Sequence, residues 1–227
     1  MSDPADHPTL LRLLQLASPA LPVGAYAYSQ GLEWAVAAGW IHDEPSLAAW
    51  LDDQLTHALG TVDLPILARL YEATRDGDGA AQVFWSRRLI AHRETRELVA
   101  DDCERGRALA RLLRDLGVAA AGPWVERRDV PFAALMAVAA VTWGIPLERA
   151  VHAHAWSWLE NQVLAGVKLI PLGQVAGQRL LLDLARRIPV VCEAALARTD
   201  DDVGGMLPIV ALASSLHETQ YTRLFRS

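Results

Sequence analysis

Apolar residues along this chain recur at three- and four-residue intervals rather than at every second position, and that spacing admits few folds. Leu47, Trp50, Leu51 and Leu55 make one such stripe, behind a cap-like Asp43 and an early Pro45. Phe132, Leu135, Met136, Ala139 and Trp143 make another, opened near Asp129 and closed by Gly144 and Pro146. Alanine and leucine abound and β-branched runs are short, which favours helix further. The pattern predicts an all-α fold, a single-domain bundle of roughly ten helices spanning residues 1–227. A 52% hydrophobic content with eight tryptophans implies either a large core or apolar surface that another protein covers. Composition leaves both open.

Connectors are expected at residues 75–79, 117–128 and 199–205. In the last, three aspartates precede two glycines, so charge repulsion and backbone freedom together predict a hinge before a C-terminal segment, residues 206–227. From about Gln82 to Leu116, Arg87, Arg88, Arg93, Arg96, Arg107 and Arg111 interleave with Glu94, Glu97, Asp101, Asp102 and Glu104. Mixed charge at these spacings reads as the solvated face of a helix.

Several function classes fall away. A formal net charge of −6 opposes nonspecific binding to nucleic acid. Apolar runs such as Leu135–Val141 are broken before the ~20 residues a membrane helix needs. Cys103 and Cys192 are the only cysteines and the N-terminus shows no export signal, a pattern that points to a reduced cytoplasm. Glycine-rich phosphate loops, HExxH, GxSxG and paired-cysteine motifs are missing, so the sequence assigns no catalytic, cofactor or metal residues. His152 and His154 lie two apart, which on a helix separates them by about 200° and sends one inward and one outward.

Three stretches stand out. Ser18–Trp34 carries two prolines and Gly24 among Leu21, Val23, Tyr26, Tyr28, Leu32 and Trp34, the composition of an ordered, buried connector. Lys168 shares a helix stripe with Asn161, Leu164 and Ala165; that helix must stop at Pro171, and Gln174 and Gln178 follow one turn apart on the next. This polar corner either bridges helix ends or lines a contact surface. At the C-terminus, a helix would align His217, Tyr221, Leu224 and Phe225, with Arg223 and Arg226 beside the aromatic end. Such an apolar end is expected to dock, on its own body or on another chain.

The order of residues in these stretches resembles the family of urease accessory proteins called UreF. The resemblance runs from Ser18-Pro19 through Leu21-Pro22 to Gln30-Gly31-Leu32-Glu33, through Lys168–Gln174 with Gly177-Gln178, to His217–Ser227, where Thr222 replaces a more usual serine. Arg93-Glu94, Arg96-Glu97 and Gly106 are also similar, whereas Leu98–Glu104 departs from the family pattern. The resemblance implies a non-enzymatic scaffold that joins the UreD/UreH accessory protein and recruits the GTPase UreG to apo-urease for nickel insertion. It also implies a homodimer and only indirect contact with nickel. The alternative it offers is a regulator of GTP hydrolysis by UreG, for which no arginine here identifies itself. On this resemblance the partner-binding surface comprises His217, Glu218, Gln220, Tyr221, Arg223, Leu224, Phe225 and Arg226. A complex or dimer surface comprises Tyr26, Tyr28, Gln30, Glu33, Lys168, Gln174 and Gln178.

Overall fold

The computed structural model describes residues 6–227 and contains eleven α-helices and no strand among them. In chain order they are α1 (Asp6–Ala17), α2 (Leu32–Ala37), α3 (Glu44–Gln54), α4 (Leu64–Arg75), α5 (Gly79–Ala91), α6 (Arg96–Asp115), α7 (Phe132–Thr142), α8 (Leu147–Leu169), α9 (Gln174–Ala185), α10 (Ile188–Leu196) and α11 (Pro208–His217). The all-α expectation holds, and the boundaries follow local chemistry. Asp43 accepts from Ser46 N (2.9 Å) and Ser46 reaches back to Asp43 N (3.2 Å), a reciprocal cap that opens α3. Pro171 lies just beyond the end of α8, as its missing N–H requires.

One feature had no sequence signal. Between α3 and α4 the helix does not break but widens into nine π-helical residues, Leu55–Asp63. Pro65, near the start of α4, has no N–H to offer the Thr61 carbonyl four residues back, and Thr61 Oγ1 turns to the His57 carbonyl (2.7 Å). Widened turns of this kind frequently accompany functional sites.

Helix α7 sits at the centre. Every residue from Phe132 to Ala140 is buried, so this helix is apolar all round and is enclosed by α4, α6 and α8. Leu47, Leu51 and Leu55 are fully buried and Trp50 nearly so, as their stripe predicts. His154 is buried and His152 partly exposed, the split expected of two helix residues two apart. No helix of the described residues is long and apolar enough to cross a membrane. Both cysteines are free and buried.

The charged stretch Gln82–Leu116 corrects the sequence reading. It is two helices, α5 and α6, parted where Thr95 caps Leu98 N (3.2 Å), and its charges are not all solvated. Asp101 and Asp102 are buried because Arg93 and Arg105 reach inward to meet them. Periodicity locates charges on a helix face but is silent on which side a neighbouring element will cover.

The segment expected to hinge is anchored along its length. Arg69 bonds Asp200 (2.9 Å) and the Arg198 carbonyl, Arg88 donates to the Val203 carbonyl (2.8 Å), and Gly204 N donates to the Thr61 carbonyl (3.1 Å).

Candidate functional site: the tail-docking surface

The three stretches marked out in the sequence converge on one end of the bundle. The hub is Glu33, at the start of α2 and only 6% exposed. Its carboxylate accepts from Leu224 N (2.6 Å) and Phe225 N (2.9 Å), and its Oε2 lies 3.0 Å from His217 Nε2. The other ring nitrogen of His217 faces Glu97 Oε2 at 2.7 Å. The second Glu97 oxygen takes Arg223 (2.8 Å).

A second clamp lies further along the tail. Arg226 pairs with Glu104 (2.8 Å), which also accepts from the Tyr28 hydroxyl (2.6 Å), while Arg226 N donates to the Ala27 carbonyl (2.8 Å). Burial, reinforced by the hydrogen bond and negative charge of Glu104, pushes the Tyr28 hydroxyl well above its ordinary pKa and keeps it a donor. Ser29 N donates to the Ser227 carbonyl oxygen (2.7 Å). Phe225 is buried, with the Lys168 ammonium 5.7 Å from its ring centroid.

The expected C-terminal helix therefore stops at His217, and residues 218–227 form turns and extended chain. The reason is in the bonds just named. Backbone N–H groups of Leu224, Phe225 and Arg226 are spent on Glu33 and Ala27, and are not available to carbonyls four residues back.

The short run Gln30-Gly31-Leu32-Glu33 prepares the landing surface. Gln30 adopts a φ of 54°, and both ends of its amide are used, donating to Asp101 (2.8 Å) and accepting from Trp158 Nε1 (2.8 Å). Gly31 has a φ of 84°, and a Cβ there would lie 2.9 Å from Ser214 N, so α11 packs against bare backbone. Leu32 is buried in the core.

Not every expected residue joins this cluster. Gln174 and Gln178 are exposed on α9 and take part in none of these bonds. Glu218 accepts from Arg96 N (3.1 Å), and Gln220 donates to the Thr222 carbonyl (2.9 Å). Tyr26, Tyr221 and Leu224 project into solvent, Tyr221 completely. The acidic receptors Glu97, Asp101 and Glu104 were not assigned a role from sequence. Their i, i+4, i+7 spacing on α6, set against His217, Arg223 and Arg226 in the tail, is the signal that could have found them.

Behind the landing surface lies a buried charge cluster. Arg93 pairs with both oxygens of Asp63 and donates to Asp102 (2.9 Å), which in turn accepts from Phe132 N (2.8 Å) at the start of α7. Burial pushes the Asp102 carboxyl up, but Arg93, Arg105 and the Phe132 N–H outweigh it and hold it below the usual range. Nearby His154 is lowered to about 4 by burial, so its imidazole is neutral near pH 7, and its Nδ1 has no protein partner. No group of three or more His, Cys, Asp or Glu among the described residues is placed to hold a metal ion.

A family model described as UreF matches residues 41–185. The chain is 55% identical over 216 residues to "Urease accessory protein UreF" of Alkalilimnicola ehrlichii, covering 95% of each protein. It is 53% identical over 218 residues to the protein of the same name in Pseudomonas putida, covering 96% of this chain and 97% of that one. With that of Alcanivorax borkumensis it shares 46% identity over 228 residues, 98% of this chain and 100% of the relative.

Proposed function

The chain belongs to the UreF family of urease accessory proteins, and from that premise we propose that it acts as a non-enzymatic scaffold in urease maturation. It joins the UreD/UreH accessory protein, as a homodimer, and recruits the GTPase UreG to apo-urease so that nickel can be inserted. Its place is the cytoplasm, a reading that the two free, buried cysteines favour. Residues 1–227 act as one domain whose C-terminal segment, 206–227, presents the partner contacts.

The observation that carries this reading is the shape of the tail. Residues 218–224 run from the His217 contacts to the Phe225–Arg226 clamp, held on the way by Glu218 to Arg96 N, Arg223 to Glu97 and Leu224 N to Glu33, and they carry the side chains of Tyr221 and Leu224 outward. Exposed aromatic and aliphatic side chains on a chain segment already held in place lose little conformational entropy on association. Tyrosine is also among the side chains that concentrate interface energy.

Complete removal of the tail is a poor test, because α11 buries Val210, Ala213 and Ser214 against the body. The double variant Tyr221→Ala/Leu224→Ala keeps every clamp bond, because Leu224 contributes only its backbone N–H to Glu33. Co-purification with UreD/UreH and UreG is expected to fall at least about 30-fold, the effect of losing ~2 kcal/mol at an interface centre. Full-strength capture by a normally folded variant would remove the tail from the partner surface.

A further inference from the structure

The C-terminal half of α6 gathers positive charge. Arg107, Arg111 and Arg114 stand at i, i+4 and i+7, so they share one helix face and span about 10 Å along it. The connector before α7 crosses α6 at Gly106, where a Cβ would collide with the Val130 carbonyl, and so carries Arg127 and Arg128 up to that face. Arg107 Nη1 donates to the Arg128 carbonyl (3.3 Å), and Arg87 reaches across from α5 to Asp129 (3.5 Å). The Arg127 guanidinium is stacked over the Trp124 ring, 4.5 Å from its centroid.

The fold does not neutralise this charge. Arg87 and Arg127 share Asp129, and Arg114 pairs with its neighbour Asp115 (2.8 Å). Arg107, Arg111 and Arg128 form no ion pair among the described residues, and Arg111 and Arg128 are exposed. With Glu126 included, six positive charges stand against three negative ones, a local +3 in a chain of net charge −6, so everything outside the patch carries −9. Like charges one turn apart, as at Arg107 and Arg111, destabilise a helix until a counter-charge meets them.

The kind of counter-charge follows from shape and surroundings. A guanidinium is a planar fork that fits a carboxylate by two parallel hydrogen bonds. Phe84, 56% exposed, stands one turn before Arg87 on α5, and exposed aromatic rings beside arginines are characteristic of protein interfaces. A nucleic-acid strand fits poorly, because its charge continues past a patch of ~10 Å and meets the acidic remainder of the chain.

We infer that this half of α6 is a docking surface for a short, carboxylate-rich segment of a partner protein, gripped by Arg107, Arg111 and Arg128 with Phe84 at its edge. The tail's last anchor on α6, Glu104, lies one turn before Arg107, so this surface begins where tail docking ends. It rests on charge and geometry and not on the UreF reading, which the Tyr221→Ala/Leu224→Ala variant tests separately.

The test is fluorescence anisotropy of a fluorescein-labelled peptide of six glutamates and two leucines, titrated with the full chain at low salt. The wild type is expected to bind it, with affinity that falls as salt rises. Arg111→Glu/Arg128→Glu, which changes two exposed side chains, is expected to weaken binding at least about tenfold. Arg179→Glu/Arg186→Glu, an equal change of charge at exposed positions on and just beyond α9, is expected to weaken it less than about twofold. Arg111→Gln/Arg128→Gln, expected to lie between the two, decides the matter should the glutamate variant fail to fold. No binding by the wild type, or equal losses in the two glutamate variants, would overturn the site. A labelled twelve-nucleotide oligothymidylate that bound more tightly than the peptide, and was lost in Arg111→Glu/Arg128→Glu, would overturn the acidic protein partner in favour of a phosphate backbone.

Discussion

At the tail, Glu33, Glu97 and Glu104 hold a segment from the far end of the sequence; in the interior, Asp63 and Asp102 hold Arg93 between α4, α6 and α7. Both regions join carboxylates to cations and backbone N–H groups. They differ in what surrounds them. Asp102 is 2% exposed and bonded to Arg93 and Phe132 N, so losing a partner leaves a buried charge uncompensated and the interior cluster is a fixed joint. Two of the tail contacts reach solvent, with the side chains of Arg223 and Arg226 at 40% and 65% exposure, so water can substitute when they part. The same chemistry thus yields a permanent lock in one place and a releasable latch in the other.

The largest effect should come from breaking the lock. Asp102→Ala leaves Arg93 without one of its two carboxylates and Phe132 N without an acceptor. It is expected to cost about 3–5 kcal/mol of global stability, seen as a lower urea midpoint at unchanged slope. A loss below about 1 kcal/mol would mean that the interior cluster is as replaceable as the tail.

The interior also sets a pH dependence. His154 is neutral in the fold, lowered to about 4, whereas an unfolded chain takes up that proton near 6.5. The unfolded state then binds more protons between these values, so stability is complete above about 6.5 and declines as pH falls towards 4. The decline from this one group amounts to at most about 3 kcal/mol. Melting temperatures of wild type and His154→Gln, compared across that range, should show a shallower acid slope in the variant.

Much of this was legible in the sequence, and the limit is physical. The stripe Leu47, Trp50, Leu51, Leu55 and the cap at Asp43 are local patterns, and local patterns decide helices. Glu33, Tyr28 and Lys168 were singled out, and they do meet His217, Phe225 and Arg226 in space, while Gln30 meets Asp101 and Trp158 instead. The partners that complete those meetings, Glu97, Asp101 and Glu104, were hidden within a run of charges that looks like any solvated helix. The burial of Asp102 and the non-helical tail were illegible for one reason: each depends on a bond between residues far apart in sequence. Periodicity holds no information about such bonds.

The latch can be weakened without touching the lock. Glu33→Gln keeps the size of the side chain but removes the charge that strengthens three contacts, to His217, Leu224 and Phe225. Losses of this kind run to about 1.5–3 kcal/mol for bonds to a charged group. Here they should fall on local opening: hydrogen exchange at the Leu224 and Phe225 amides is expected to quicken about 10- to 100-fold, with the urea midpoint little changed. If the midpoint fell as far as in Asp102→Ala, the tail would be part of the global fold and the contrast between the two regions would fail.

Arg226→Ala should give the smallest change, and it sharpens the contrast most finely. Its ion pair with Glu104 is largely exposed, and pairs of that kind contribute about 0–1 kcal/mol. Glu104 would retain the Tyr28 hydroxyl, and residue 226 would still donate its backbone N–H to Ala27, so the second clamp loses only its solvated part. Exchange at Phe225 should therefore rise no more than about fivefold, well short of Glu33→Gln. A response as large as that of Glu33→Gln would show that the clamps act as one unit: the tail would then dock in an all-or-none step, and the exposed side chains of Tyr221 and Leu224 would be held in place or freed together.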